Sequence, residues 1–201
     1  MPDVQARENM PAQYRYLLAY KPYDVLSDLT DPEGRPALGD YVPVPGVHEA
    51  GRLDRDSEGL MLLTDDGALA HRLTHPRHKQ PKTYLVQVEN IPNARALQAL
   101  RAGVEVKGTR TAPAQIDLLP GEPDLPPRSV PIRDGATVPT AWLRITLHEG
   151  RKRQIRHMTA AVGHPTLRLV RIALGPLTIG SLRPGEWRDL TASELATLRQ
   201  T

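Results

Sequence analysis

Apolar residues recur along this chain at two alternating spacings, and the switches between them mark out its elements. The clearest strand is 141–148: Leu143, Ile145 and Leu147 point to one side, and Trp142, Arg144, Thr146 and His148 to the other. Residues 14–20 read as a first strand, ended by Lys21-Pro22. Residues 47–54 and 59–64 read as extended segments around a polar loop; 83–89, 114–119 and 166–172 read as further strands. Helical spacing covers 66–74, opened by Asp65 or Asp66 as cap, then 94–102, stopped by Gly103, and 153–162, ended by Gly163. Thr191 with Glu194 three residues on is the pattern of a capping box and predicts a last helix. Asp31-Pro32-Glu33-Gly34 is a turn signal. Residues 120–139, rich in Pro, Gly and charge, predict a long loop, and residues 1–13, polar and unpatterned, a disordered lead-in. Strands and helices are interspersed without regular βαβ alternation and without internal repeats. The expected class is α+β, a mixed and mostly antiparallel sheet flanked by helices.

Composition narrows this picture. A chain of 201 residues suits one medium domain, or a main domain with a small lobe. Phe is absent, so Leu, Val, Ile and Ala must fill the core. The absence of Cys excludes disulfides and thiolate metal sites. No stretch approaches the roughly 20 apolar residues of a membrane span, and the first residues lack the apolar centre of a signal peptide. A soluble, cytoplasmic protein without a membrane partner is expected. Net charge is only +3, but among the 26 basic residues 21 are Arg and 5 are Lys. Codon bias accounts for part of that excess; location says more. Six Arg or Lys and no Asp or Glu lie between Arg151 and Arg171, the electrostatic footprint of a nucleic-acid partner.

The densest chemical segment is Gly51-Arg52-Leu53-Asp54-Arg55-Asp56-Ser57-Glu58-Gly59-Leu60. If 51–54 is extended, Arg52 and Asp54 share one face and Leu53 anchors the other. Glycines on either side permit tight backbone geometry. A carboxylate held so beside an Arg is a preorganised nucleophile. An isolated Arg-x-Asp is more often a polar turn with a surface ion pair. Two further blocks change that balance: Lys82-Thr83-Tyr84, and Glu149-Gly150-Arg151-Lys152-Arg153-Gln154-Ile155-Arg156-His157-Met158.

In this order the three blocks resemble the pseudouridine synthases of the small ribosomal-subunit type, the RsuA/RluB/RluE/RluF group. The likeness covers nearly the whole chain after about Tyr14. Lys21-Pro22-Tyr23-Asp24-Val25-Leu26 is similar to the group's first strand and turn, and Gly59-Leu60-Met61-Leu62-Leu63-Thr64-Asp65-Asp66-Gly67 to its second motif. Pro131-Ile132-Arg133, Val138-Pro139-Thr140 and Thr166-Leu167-Arg168-Leu169-Val170-Arg171 are most similar to the branch that acts on large-subunit rRNA. Three positions depart from the group's pattern: His157 stands where a second Arg is usual, Lys152 replaces a common Asn, and Asp65-Asp66 replaces Asn-Asp or Asn-Asn.

The resemblance implies a pseudouridine synthase fold with a central cleft. Residues 14–201 would form the catalytic domain, two subdomains sharing one sheet, without a separate N-terminal RNA-binding domain. It implies that a uridine of 23S rRNA, or of a ribosomal precursor particle, is isomerised by a monomeric enzyme. Asp54 becomes the catalytic carboxylate, Tyr84 the ring that stacks on the base, and Arg156 the cation expected to pair with Asp54 and keep it charged. A base inside folded RNA must be flipped out at a cost of a few kcal/mol. Arg52 could fill the vacated space or hold a neighbouring phosphate, and Lys152, Arg153, Arg168 and Arg171 are candidate phosphate contacts. An isomerisation requires no cofactor, and the chain carries neither a dinucleotide fingerprint nor a phosphate-binding Gly-Lys-Ser/Thr loop.

Other readings remain open at this level. His71 and His75 share a helix face as metal ligands do, but Arg72 stands where a zinc hydrolase has Glu; no metal is expected, and His71, His75 and His78 read as surface residues. Asp54, Asp56 and Glu58 could form a glycosidase carboxylate pair, yet the neighbouring Arg52 and Arg55 favour ionised groups where one protonated acid is needed. The substrate could be small-subunit rRNA or another structured RNA. A ribosome-assembly factor that binds RNA without chemistry would carry the same basic patch.

Overall fold

The computed structural model describes residues 14–75, 77–78, 80–132 and 138–200. The elements, in chain order, are β1 (Tyr16–Lys21), a single 3-10 turn (Leu38–Asp40), β2 (His48–Glu49), β3 (Glu58–Thr64), α1 (Gly67–Thr74) and β4 (Lys82–Glu89). After them come α2 (Ala94–Ala102), β5 (Glu105–Val106), β6 (Thr109–Arg110), β7 (Gln115–Leu118) and β8 (Thr140–Leu147). The chain closes with α3 (Gln154–Ala161), β9 (Thr166–Leu174), β10 (Leu177–Thr178), β11 (Trp187–Asp189) and α4 (Ala192–Gln200).

Nine strands make one sheet in the order β11-β1-β3-β9-β4-β8-β7, with β2 added to β3 and β10 to β9. Only the β3·β9 pair is parallel, through Glu58 with Val170 and Gly59 with Arg171. The expected α+β class with a mixed, mostly antiparallel sheet is what the chain forms. The remaining strands, β5 and β6, make a separate hairpin. Lys107 and Gly108 turn it, both at positive φ, the backbone that a two-residue hairpin loop demands.

Burial explains the patterns read from sequence. β3 is buried along its whole length because both faces are covered, which is why it reads as an unbroken apolar run. Leu60 and Leu62 enter one cluster with Tyr16, Leu18 and the helix residues Leu69, Leu73 and Leu198. Met61 and Leu63 enter another with Leu17, Ala19, Leu38, Val47 and Leu53. A third cluster joins Val86, Val88, Leu143, Ile145 and Leu169 to Leu97, Leu100, Ile155 and Met158 of α2 and α3. Tyr84 packs against both of the last two clusters and so stands at their junction.

Boundaries fall close to expectation for α1, α2 and α3, and Asp66 caps α1 by accepting from the Leu69 amide at 3.0 Å. The Thr191–Glu194 capping box forms reciprocally: Glu194 N donates to Thr191 Oγ1 at 3.2 Å, and Thr191 N to Glu194 Oε2 at 2.8 Å. The extended segment 47–54 is the main departure. Only His48–Glu49 pairs with β3, and the rest becomes a loop held by side chains. Trp142 keeps its place on the side of β8 that carries Arg144 and Thr146 but is buried there. The lead-in 1–13, Arg133 and part of the 120–139 loop lie outside the described residues; 120–132 contains neither helix nor strand.

Candidate active site

Three devices hold the loop that carries Asp54. The Ser27 hydroxyl accepts from the Leu53 amide at 2.9 Å and donates to the Leu53 carbonyl at 2.7 Å, acting as a one-residue strand partner. The fully buried Lys21 ammonium donates to the carbonyls of Pro22, Val25 and Arg55 at 3.0, 2.6 and 3.2 Å, tying the first turn to the loop. Burial pushes Lys21 down to about 8, against the opposing pull of Glu58, Asp56, Asp24 and Asp54. The third device is the tight turn itself, closed by Ser57 N donating to Asp54 O at 3.0 Å. Gly59 ends it at φ +106, and a Cβ there would overlap the backbone carbonyl of Arg171. Leu53 is thereby driven into the core and Asp54 left half-exposed.

The three carboxylates of this loop have different fates. Glu58 is buried in a two-pronged ion pair with Arg168, at 2.9 and 2.8 Å. Asp56 takes both prongs of Arg153, at 2.9 and 2.8 Å, and its Oδ2 lies 3.3 Å from Arg156 Nε. That last contact is an ion pair without hydrogen-bond alignment, because Nε has no hydrogen-bond partner. Burial alone would raise Asp56; the Arg153 hydrogen bond and the Arg156 and Arg153 charges outweigh it and hold the carboxyl below its ordinary range. Asp54 is the carboxylate of the segment left without an ion pair or a side-chain hydrogen bond among the described residues. The glycosidase reading therefore loses two of its three acids to ion pairs with arginine.

A cavity of about 880 Å³ opens over Asp54. Its walls include Arg52 and Asp54 from the loop, Lys82 and Tyr84 from β4, Gly150 to Ile155 before and within α3, and Arg171 from β9. The Tyr84 ring lines this space, and its hydroxyl takes no partner among the described residues. The block 149–154 is braced from within. Gln154 accepts from the Arg151 amide at 3.0 Å and donates to Glu149 at 2.5 Å, and Glu149 accepts from the Ala112 amide at 2.9 Å. Arg153 holds a left-handed backbone, φ 54, at the start of α3. This is a strained conformation for a non-glycine residue, fixed here by its ion pair with Asp56.

The basic residues separate by environment. Arg156 does not pair with Asp54 as expected. It donates to the Asp56 carbonyl at 2.6 Å and to the Thr166 carbonyl at 3.3 Å, so it braces the loop from behind. Burial pushes its guanidinium down from the ordinary value, with Asp56 pulling back. Arg52 reaches Asp28 with both prongs at 2.6 Å on the exposed rim. Lys152 is exposed and unpaired among the described residues. Arg168 and Arg171 are both buried, which is not the geometry of surface phosphate contacts. Three positions apart on one strand, they enter opposite faces of the sheet: Arg168 meets Glu58, and Arg171 meets the cavity. The partners that sequence reading missed were Lys21, Ser27 and Asp56. Asp56 carried a signal in its place two residues after Asp54, and Lys21 in the motif it opens; Ser27 carried none.

His71, His75 and His78 form a ladder of rings with centroids 5.3 and 6.0 Å apart. Among the described residues no group of three or more His, Cys, Asp or Glu is placed to hold a metal ion. No described helix is long and apolar enough to cross a membrane.

A Vibrio vulnificus protein named ribosomal large subunit pseudouridine synthase E is 52% identical over 190 residues, covering 94% of this chain and 81% of its own. The Xanthomonas axonopodis pv. citri protein of the same name is 57% identical over 170 residues, covering 84% and 90%. A crystal structure of a pseudouridylate synthase superposes with a TM-score of 0.77 at 32% identity, over 92% of this chain and 74% of that one. Residues 15–161, which carry Asp54, Tyr84 and Arg156, match the sequence profile of RNA pseudouridylate synthases, and the chain belongs to that family.

Proposed function

We propose that this protein isomerises a uridine of large-subunit ribosomal RNA to pseudouridine, with Asp54 as the carboxylate that acts on the target nucleotide. The observation that carries the reading is the contrast within one loop. Asp56 and Glu58 are locked to arginines, while Asp54 is unpaired, half-exposed and faces a cavity it shares with Tyr84. The substrate class is supported by the names of the relatives that match most of the chain. In this reading the flipped uracil stacks on Tyr84, Arg156 fixes the loop through Asp56, and Arg52, Lys152 and Arg153 receive flanking phosphates. Arg52 would exchange its carboxylate for RNA, an exchange that costs little because exposed ion pairs contribute only about 0–1 kcal/mol, while Arg153 would meet a phosphate without leaving Asp56. The enzyme acts as a cytoplasmic monomer and needs neither metal nor nucleotide, since nothing is oxidised and no group is activated.

The test is tritium release from ring carbon five of uridine in unmodified large-subunit rRNA, comparing wild type with Asp54→Asn. Release by wild type and a loss of more than about a thousandfold in the variant are expected. Release from small-subunit rRNA alone would move the substrate, and equal release by both proteins would remove Asp54 from the chemistry.

A further inference from the structure

One buried and one half-buried cation at this site have no counter-charge among the described residues. Lys82 and Arg171 both line the cavity, and among the described residues neither lies within ion-pair distance of a carboxylate. Arg171 is 2% exposed and donates through Nε to the Leu60 carbonyl at 2.7 Å and through Nη2 to the Met61 sulfur at 3.3 Å. These bonds orient the guanidinium and neutralise nothing. Lys82 makes one long bond, to the Gln80 carbonyl at 3.3 Å. Burial pushes its ammonium down, and the charge of Arg171 pushes it further.

The other buried or half-buried arginines of the site, Arg153, Arg156 and Arg168, all meet a carboxylate. Like charges held near each other in a partly dry cleft without an anion are costly. Such a pair is maintained where an anion arrives during function. Tyr84 and Arg171 are cross-strand partners in the β4·β9 ladder, so their side chains share a face, and Lys82, two residues before Tyr84, joins them.

We propose that Lys82 and Arg171 form an anion-holding floor that takes the carbonyl oxygens of the uracil while it is detached from the sugar. This rests on the function proposed above and places the two cations beside the ring that stacks on the base. When the bond between the sugar carbon and ring nitrogen one breaks, its electron pair stays with the uracil and spreads onto the two carbonyl oxygens. The electron-poor sugar carbon is balanced by the Asp54 carboxylate. Ring carbon five then bonds to the sugar carbon, its proton leaves, and nitrogen one gains a proton, so the net change is an isomerisation. Donors fixed where charge develops lower the barrier without reorganising. Arg171 is thereby assigned to the base and not to a phosphate.

The experiment uses single-turnover kinetics on RNA with uridine or 5-fluorouridine at the modified position, following loss of the original nucleoside after digestion. Fluorine makes the departing base a weaker base, so it needs less help from the floor. Wild-type turnover comes first; if it fails, the proposed function fails and not this assignment. Lys82→Met is expected to slow uridine conversion at least about tenfold while RNA affinity changes by less than about twofold, and the loss is expected to shrink at least about threefold on 5-fluorouridine RNA. Lys82→Arg is expected to keep most of the rate. Arg171→Lys, which retains the charge and breaks the two orienting bonds, is expected to show a smaller defect with the same substrate dependence. If Lys82→Met lowers the melting temperature, Lys82→Gln takes its place. Equal losses on both RNAs, an unchanged rate, or lost affinity at unchanged rate would each overturn the proposal, the last in favour of a phosphate contact.

Discussion

At Gly59 a single hydrogen atom in place of a side chain lets β3 run against β9 closely enough to bring Asp54 over the β4·β9 floor. A methyl group there meets fixed backbone, and φ +106 is a conformation L-residues rarely adopt. Gly59→Ala is expected to destabilise the protein by about 3 kcal/mol or more, read from urea unfolding. Glu58 and Arg168 make a complementary case. Removing one partner leaves a buried charge, so Glu58→Leu alone should cost about 3–5 kcal/mol, whereas Glu58→Leu with Arg168→Leu should restore most of that loss. Recovery in the double variant, measured by the same unfolding curves, separates the pair's role in stability from any role in chemistry.

At the scale of elements, the capping box of α4 is an acid-sensitive clip. The hydrogen bonds from Arg188 first, and then from Thr191, hold Glu194 at about 2 despite burial. A folded value below the unfolded one, about 4.3, means that its stabilisation is complete above that value. It is lost as pH falls from about 4.3 towards about 2. Glu194→Gln should therefore lower stability by about 1 kcal/mol at pH 7, and the gap to wild type should be about half as large at pH 3. This helix start was legible in sequence because its signal lies within four residues. So were α1, α2 and α3, and β8 with its strict alternation. The loop around Asp54 was not. Its shape depends on Ser27 and Lys21, held by contacts with residues more than 25 positions away, and period-two reading extended the strand through it. The short β10 and β11 were missed because two or three residues show no period. That Asp54 and Tyr84 line one cavity was legible through their motifs; the partner of Arg156 was not, since one loop offers three carboxylates and only packing chooses among them.

At the scale of the whole molecule, the positive charge left free around the cavity is smaller than its Arg count suggests. Most arginines around the site are committed to carboxylates or carbonyls, and Lys152 is the exposed cation of its block left without a partner among the described residues. RNA affinity should therefore fall with salt along a shallow log–log slope, and Lys152→Ala should reduce that slope by about 0.7–0.9, as measured by filter binding across a salt series. Retained affinity with an unchanged slope would place Lys152 away from the backbone path.

The pairing of β1 with β11 has a bearing on synthesis. Leu17 lies opposite Asp189, and the Arg199 guanidinium donates to the Tyr16 hydroxyl at 3.0 Å. The central β3 gains its parallel neighbour only through residues 170 and 171. A chain emerging from the ribosome thus makes its Asp54 loop early but cannot complete the sheet around it until β9 and β11 have followed, more than 100 residues later. The Asp54 loop is written first and set last, so a copy halted before β9 lacks the strand against which that loop is fixed.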